Sequence, residues 1–309
     1  MEKRRMGTRG PGVSVLGLGC NNFGMKLDEA QSREVVEAAL AAGVTHFDTA
    51  ESYGGGRSEE YLGAALGGRR DQVVIATKFA ARPDGEEYRP GLLRRRIMEG
   101  CETSLRRLGT DHIDLYYQHH PDPAAPLEET LGALDELIQA GKVVHAGCSN
   151  FSAAQIDEAA RIAGETRGAG FAAAQMHWNL LERRVEADVV PAALRAGSGI
   201  IPYFPLASGM LTGKYGRDEF PVGSRLEAMP RFRGPATDEN FAYIERLRVF
   251  AEEREHTLLE LAFGWLAAQE GVASIIAGAT SAAQVAVNDA AVTAWRLTPD
   301  DLQALPTRE

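Results

Sequence analysis

Asp48, Tyr53, Lys78 and His119 are residue types that together could move a proton onto a carbonyl oxygen. A free phenol has a pKa of ~10, too high to give up a proton readily near neutrality. An ammonium beside it favours the phenolate and lowers that value. The ammonium must itself be held in place, and a carboxylate does this. Lys78 is therefore expected to tune Tyr53, Asp48 to anchor Lys78, and His119 to orient a substrate oxygen. Such a set is a general acid for a carbonyl that is receiving a hydride. Taken singly, Asp48 or Lys78 is as well explained by a structural ion pair, and Tyr53 by packing. Their occurrence together and in this order singles them out.

These residues need elements that bring them to one point. Short β-rich runs recur at residues 15–19, 44–49, 73–78, 112–117, 143–148, 171–176, 200–205 and 273–277. They are mostly apolar rather than alternating, as in parallel strands covered on both faces. Helix signals lie between them. Asp28 with Gln31 makes an N-cap arrangement, and Gly43 stands where a left-handed closing residue belongs. Pro126 opens another helix, Leu127, Leu131, Leu134 and Ile138 recur at helical spacing, and Gly141 stops it. Ser152 with Gln155, and Ser281 with Gln284, form capping boxes of identical wording. Residues 94–108 form a basic amphipathic helix. The alternation predicts a closed (β/α)8 TIM barrel, whose chemistry sits at the C-terminal strand ends. Asp48, Lys78, His119, Ser149, Asn150, Gln175 and Tyr203 all fall there, with Tyr53 in the adjacent loop. The one irregular interval follows the seventh run. Its residues 206–238 are rich in Gly, Pro and Arg and read as a long loop, a feature that is usually functional or disordered. No break in composition marks a second domain, so residues 1–309 are expected to form one barrel domain.

Other classes fit poorly. A doubly wound open sheet needs a phosphate fingerprint, but residues 17–22 lack its third glycine, and no P-loop lysine motif exists. Lys and Arg number 33 against 43 Asp and Glu, a net charge of −10 that argues against nucleic acid. A mean hydropathy of −0.22 and the lack of a long apolar run argue against a membrane span. Cys20, Cys101 and Cys148 are odd in number and far apart, which fits neither a disulfide framework nor a zinc ribbon. No apolar segment follows the basic residues near Met1, so a secretory signal is not expected, and the cytoplasm is. A metal-dependent barrel hydrolase would draw on His119, His120 and Asp122. Adjacent histidines on a strand point to opposite faces, and no further His at a strand end completes a three-ligand site, so no metal is expected.

Several stretches carry a family resemblance. They are Leu16-Gly17-Leu18-Gly19-Cys20, residues 47–54 with Asp48 and Tyr53, Ser58-Glu59-Glu60-Tyr61-Leu62-Gly63, Thr77-Lys78, residues 108–115, Gly147-Cys148-Ser149-Asn150-Phe151, Leu211-Thr212-Gly213-Lys214-Tyr215 and residues 276–280. Through them the chain resembles the aldo-keto reductases over nearly its whole length. The resemblance implies the (β/α)8 barrel, a nicotinamide dinucleotide, usually NADP(H), and reduction of aldehydes and ketones with Tyr53 as general acid. The family's tetrad falls on Asp48, Tyr53, Lys78 and His119. His119 rather than His120 is the match, because it follows Tyr116-Tyr117-Gln118. Some proteins resembling this family are cofactor-bound regulatory subunits of potassium channels, a role that an intact tetrad leaves open.

The resemblance also implies a cofactor site. Ser149, Asn150 and Gln175 match the side chains that bond the carboxamide, and Tyr203, followed by Phe204, matches the ring stacked on nicotinamide. Gly19, Cys20 and Asp48 belong to the same floor. Leu206, Ser208, Gly209 and Leu211 lie where the loop approaches the pyrophosphate, and Lys214 and Arg225 add charge there. Gly278, Thr280, Gln284 and Asn288 match the adenosine end. Here the chain departs from the common pattern. Gly278 and Gln284 replace basic residues that grip a 2′-phosphate, and Val287 replaces a common Glu. The helix opened by Ser281 still offers free N–H groups to a phosphate. NADP(H) is preferred, with NAD(H) as the second candidate. Strand topology places Asn21, Phe23, Tyr53, Phe79, His119 and His120 around a small carbonyl substrate, with Tyr88 and Trp178 nearby. The 209–225 segment is expected to be a mobile cover that orders on the cofactor. The alternative is a rigid loop anchored by Leu211, Tyr215 and Phe220.

Overall fold

The chain begins with an antiparallel pair, β1 (Lys3–Arg5) and β2 (Gly12–Ser14), before any barrel strand. The structure, a computed structural model, describes residues 1–80, 86–217 and 219–308. Eight parallel strands follow: β3 (Leu16–Gly19), β4 (His46–Asp48), β5 (Val74–Phe79), β6 (Ile113–Gln118), β7 (Val143–Ser149), β8 (Phe171–His177), β9 (Gly199–Tyr203) and β10 (Ile275–Gly278). They close in the order β10-β3-β4-β5-β6-β7-β8-β9. The expected barrel is therefore the observed one.

Helices cover the outside: α1 (Glu29–Ala41), α2 (Arg57–Leu66), α3 (Leu92–Leu108), α4 (Leu127–Gln139), α5 (Ala153–Thr166), α6 (Val189–Arg195), a single turn α7 (Arg225–Ala228), α8 (Asp238–Glu252), α9 (Leu258–Ala267), α10 (Ala282–Ala294) and α11 (Pro299–Gln303). The starts are written in side chains. Asp28 and Gln31 complete a capping box on α1, Ser152 and Gln155 one on α5, and the Ser281 hydroxyl accepts from Gln284 N on α10. Among the described residues, no helix is long and apolar enough to cross a membrane.

Alternate strand positions divide the core. Ala76, Leu115, Tyr117, Ala173, Ile201 and Ala273 fill the barrel axis, while Phe47, Ile75, Phe79 and Tyr116 pack outward under the helices. The hairpin seals the N-terminal end, with Met6 and Val13 fully buried in the axial cluster. It was not legible as strand, because Lys3–Arg5 is charged, short and exposed on alternate positions. Its turn needs a glycine: Gly7 has φ +60°, and a Cβ there would meet Gly197 O at 2.3 Å.

The strand bounds differ from the sequence reading by one or two residues. β9 ends at Tyr203, because Phe204 enters the left-handed region at φ 53°, and β10 starts at Ile275. The 206–238 segment has structure of its own: a 3₁₀ turn at Ala207–Thr212, α7, and another turn at Pro230–Phe232. Leu211 and Leu226 are buried beneath it, and the Tyr215 ring lies edge-on to Phe220 at 5.8 Å. Leu211, Tyr215 and Phe220 are the anchors named for the rigid alternative.

Candidate active site

Register brings the proton-transfer residues together. Gly19, Asp48 and Ala76 are neighbours across β3, β4 and β5, and Lys78 pairs with Tyr117 on β6. Asp48 and Lys78 both face the axis at the C-terminal end. Lys78 Nζ donates to Asp48 Oδ1 at 2.6 Å and to Thr49 O at 2.7 Å. Gln175 Nε2 reaches across from β8 to donate to Asp48 Oδ2 at 2.8 Å. Both carboxylate oxygens are thus engaged, as a buried charge requires. Lys78 is completely buried. Burial presses its ammonium towards the neutral form, but Asp48 and Tyr53 outweigh this and hold its pKa above that of an ordinary lysine.

Tyr53 stands on the turn after β4, where Gly54, Gly55 and Gly56 all have positive φ (60°, 67° and 97°). Its ring lies 5.2 Å from Lys78 Nζ and edge-on to His119 at 5.8 Å. Burial raises the Tyr53 pKa, and Lys78 lowers it by less. This corrects the expectation that the ammonium sets the net direction. Without other ligands the phenol is firmly protonated, the form an acid must have. The His119 pKa falls to about 3, first through burial, then through Lys78 and His120. Its imidazole is neutral at pH 7 and retains one N–H donor.

A cleft of about 720 Å³ opens above these groups. Asp48, Tyr53 and His119 line it, and Lys78 lies behind them. Of the expected cofactor residues, Gly19, Ser149, Asn150, Gln175, Tyr203, Phe204, Leu206, Ser208, Gly209, Lys214, Arg225, Gly278, Thr280, Gln284 and Asn288 line the cleft. Cys20 and Leu211 do not, being sealed in the core at 0% exposure. Cys20 contributes its backbone N–H to Asp48 O at 2.8 Å. Asn150 bonds three neighbours: it donates to His119 O at 3.0 Å and Ser149 Oγ at 3.1 Å, and accepts from Tyr203 Oη at 2.7 Å. Asn150, Phe204 and Ser208 take left-handed backbone (φ 62°, 53° and 59°). Strain of that kind gathers at ligand sites. Asn179 Nδ2 holds the Phe204 carbonyl at 2.9 Å.

The substrate side differs from expectation. Asn21, Tyr53, His119 and His120 line the cleft, but Phe23 and Phe79 do not. Phe79 follows the inward Lys78 and so points outward, where its ring meets Tyr116 at 5.0 Å. Phe23 is buried, Trp178 packs edge-on to Trp265 at 5.7 Å, and the Tyr88 hydroxyl donates to Glu129 at 2.7 Å. His119 and His120 do not diverge either. Both lie past the end of β6, and their rings stack at 4.8 Å, 14° from parallel. Among the described residues, no group of three or more His, Cys, Asp or Glu is placed to hold a metal ion.

Lys26, in the loop after β3, also lines the cleft, and nothing in its local sequence marks it for that place. Burial lowers its pKa, and then Arg225 does, with Lys214 a smaller contributor. Arg225 is likewise lowered by burial, and its guanidinium lies 5.6 Å from the Phe204 ring. Three cations therefore crowd one cleft. Asp48, already shared by Lys78 and Gln175, is the one carboxylate among the described lining residues. Crowded like charges suit an anion of several charges, so the cleft fits a dinucleotide pyrophosphate. The α10 end, with Gly278, Thr280, Ala283, Gln284, Val287 and Asn288, supplies no charged side chain. Gln284 Oε1 accepts from Thr280 N at 2.8 Å and from Thr280 Oγ1 at 3.1 Å.

Comparison with known proteins agrees with this architecture. The profile described as "Aldo/keto reductase family" matches residues 15–307. The chain is 37% identical over 297 residues to "Probable voltage-gated potassium channel subunit beta" of Oryza sativa subsp. japonica, covering 93% of this chain and 90% of that protein. It is 36% identical to "Probable aldo-keto reductase 1" of Glycine max, over 97% of this chain and 87% of that protein. It is 35% identical to "Aldo-keto reductase YhdN" of Bacillus subtilis, over 99% and 93%. The family's chemistry is oxidoreduction with a nicotinamide cofactor. The match runs from the first barrel strand past the last one, and the chain belongs to the aldo/keto reductase family.

Proposed function

We propose that this protein reduces aldehydes and ketones to alcohols, with Tyr53 as the general acid. The observation that carries this reading is a protonated Tyr53 set beside a locked Lys78–Asp48 pair and a neutral His119. A reduced nicotinamide, when bound, supplies hydride to the carbonyl carbon. Tyr53 Oη gives its proton to the carbonyl oxygen: one O–H bond breaks on the phenol and one forms on the product. Lys78 stabilises the phenolate left behind, which solvent reprotonates. Asp48 keeps Lys78 charged and aimed, and His119 donates an N–H to the same oxygen.

The cofactor residues divide by chemistry. Ser149, Asn150 and Gln175 suit the carboxamide, the Tyr203 face suits the nicotinamide ring, and Lys26, Lys214 and Arg225 suit the pyrophosphate. Gly278, Thr280, Gln284 and Asn288 take the adenosine end. NADP(H) is the preferred cofactor, by a margin reduced by the uncharged α10 end. Three free, buried cysteines fit a reducing compartment such as the cytoplasm. Steady-state oxidation of NADPH and NADH against a panel of aldehydes and ketones tests the reading, and no turnover of any carbonyl contradicts it.

The second reading is a cofactor-bound regulatory subunit. It is favoured by the similarity to proteins named as potassium-channel β subunits. Bound NADPH that oxidises once and is not exchanged would favour it over the enzyme.

A further inference from the structure

His119 and His120 line one cleft. β6 ends at Gln118, and beyond it the two imidazoles lie face to face, 4.8 Å apart and 14° from parallel. Tyr53 meets His119 edge-on at 5.8 Å, so His119 is fixed between a phenol and a second imidazole. His120 is exposed and lines the cleft, and no described hydrogen bond engages its ring. Asn21 lines the cleft too. The apolar candidates Phe23, Phe79 and Trp178 are withdrawn into the core. Of the residues expected on the substrate side, those that line the cleft, Asn21, Tyr53, His119 and His120, are all polar.

We infer, on the reductase reading above, that His120 is a specificity-determining residue for small carbonyl compounds that carry a hydroxyl one or two carbons from the carbonyl. The two rings lie 4.8 Å apart and both line the cleft. While His119 meets the carbonyl oxygen, His120 offers a second partner at the ring spacing, about the reach of a neighbouring hydroxyl oxygen. A neutral imidazole has one donor and one acceptor, and a hydroxyl matches either. Burial lowers the His120 pKa, which disfavours the charged ring and with it any advantage to carboxylate-bearing substrates. The hydroxyl does not react. The same two-electron reduction takes place at the carbonyl carbon. A site that hydrogen-bonds a hydroxyl discriminates against the analogue lacking it, because its own polar groups are then left unpaired. Partial exposure of His120 keeps that discrimination modest.

The test compares glyceraldehyde with propanal, each corrected for its free carbonyl fraction, in wild type, His120→Phe and His120→Asn. Phe keeps a ring on His119 without hydrogen-bonding atoms, and Asn keeps such atoms without the ring. The expected kcat/KM ratio favours glyceraldehyde by about tenfold or more in wild type, falls at least severalfold in His120→Phe, and is partly restored in His120→Asn. An unchanged ratio in His120→Phe overturns the inference. A second readout does not use turnover. In the histidine-selective ¹⁵N spectrum of the NADP⁺-bound protein, glycerol should shift the His120 signals and 1-propanol should not. Equal responses, or none to glycerol, overturn it. If neither aldehyde is reduced although NADPH binds, the reductase reading fails, and the glycerol titration alone then decides for or against His120.

Discussion

Gln175 donates its side-chain amide to Asp48 at 2.8 Å, on the carboxylate oxygen that Lys78 leaves free. The residue proposed to hold the cofactor carboxamide is thus bonded to the residue that anchors the proton-transfer lysine. On the proposed function, cofactor site and acid site are joined by this hydrogen bond. Gln175→Leu should therefore lower kcat as well as weaken NADPH binding, whereas Ser149→Ala should act mainly on binding. A hydrogen bond to a charged group contributes about 1.5–3 kcal/mol, so the Gln175 effect should be roughly one to two decades. Fluorescence titration alongside steady-state kinetics checks this. A Gln175→Leu change confined to Kd would separate the two sites.

The Lys78–Asp48 pair is buried on both sides. Removing one member leaves a charge unpaired in the core, which typically costs about 3–5 kcal/mol. Lys78→Met should lower the melting temperature sharply and abolish turnover. Lys78→Met with Asp48→Asn should recover much of the melting temperature and none of the turnover. A double variant no more stable than the single one would show that the pair is not the source of the loss.

His46 and His119 both have folded-state pKa values lowered chiefly by burial, to about 4 and about 3. An unfolded histidine titrates near 6.5. Below that pH the unfolded chain binds protons that the folded chain refuses, so stability falls as pH drops and levels off only below the folded values. Melting temperatures should decline from pH 7 to pH 5, above the range where most carboxylates titrate. His119→Gln should flatten that decline. An NMR titration should find the His119 ring still neutral at pH 5.

Lys26, Lys214 and Arg225 share one carboxylate-poor cleft. Lys26→Ala should weaken NADPH by about tenfold, equivalent to ~1.4 kcal/mol, and make binding less sensitive to salt. Titrations at low and high salt decide it. An unchanged Kd would place Lys26 outside the anion site.

On the proposed function, the adenosine end sets the cofactor preference. A Cβ at Gly278 would find its nearest neighbour, Asn21 Oδ1, at 3.4 Å, so a longer side chain fits there. Gly278→Lys should tighten NADPH more than NADH, measured by calorimetry. Equal effects on both cofactors would show that the 2′-phosphate does not lie at this strand end.

Strand-borne features were legible and loop-borne ones less so. Asp48 and Lys78 could be placed because a parallel strand fixes both the end and the face of a residue. The same parity rule assigns Phe79 outward, since it adjoins the inward Lys78. Phe23, Trp178 and Leu211 lie in connections, where apolar side chains go to the core unless a backbone turn prevents it, and no local pattern records which. The stacking of His119 on His120 was hidden for a related reason: alternation ends with the strand, and the strand ends at Gln118. Lys26 carried no signal beyond its charge, since its two cationic neighbours come from a segment nearly two hundred residues away in sequence.

The central claim is that Tyr53 protonates the carbonyl oxygen, and it is tested most directly by Tyr53→Phe in a single-turnover measurement of NADPH oxidation by an aldehyde. The account predicts a rate lower by roughly 10²–10⁴-fold with the NADPH Kd within about twofold of wild type. A variant that keeps more than half of the wild-type rate would contradict it.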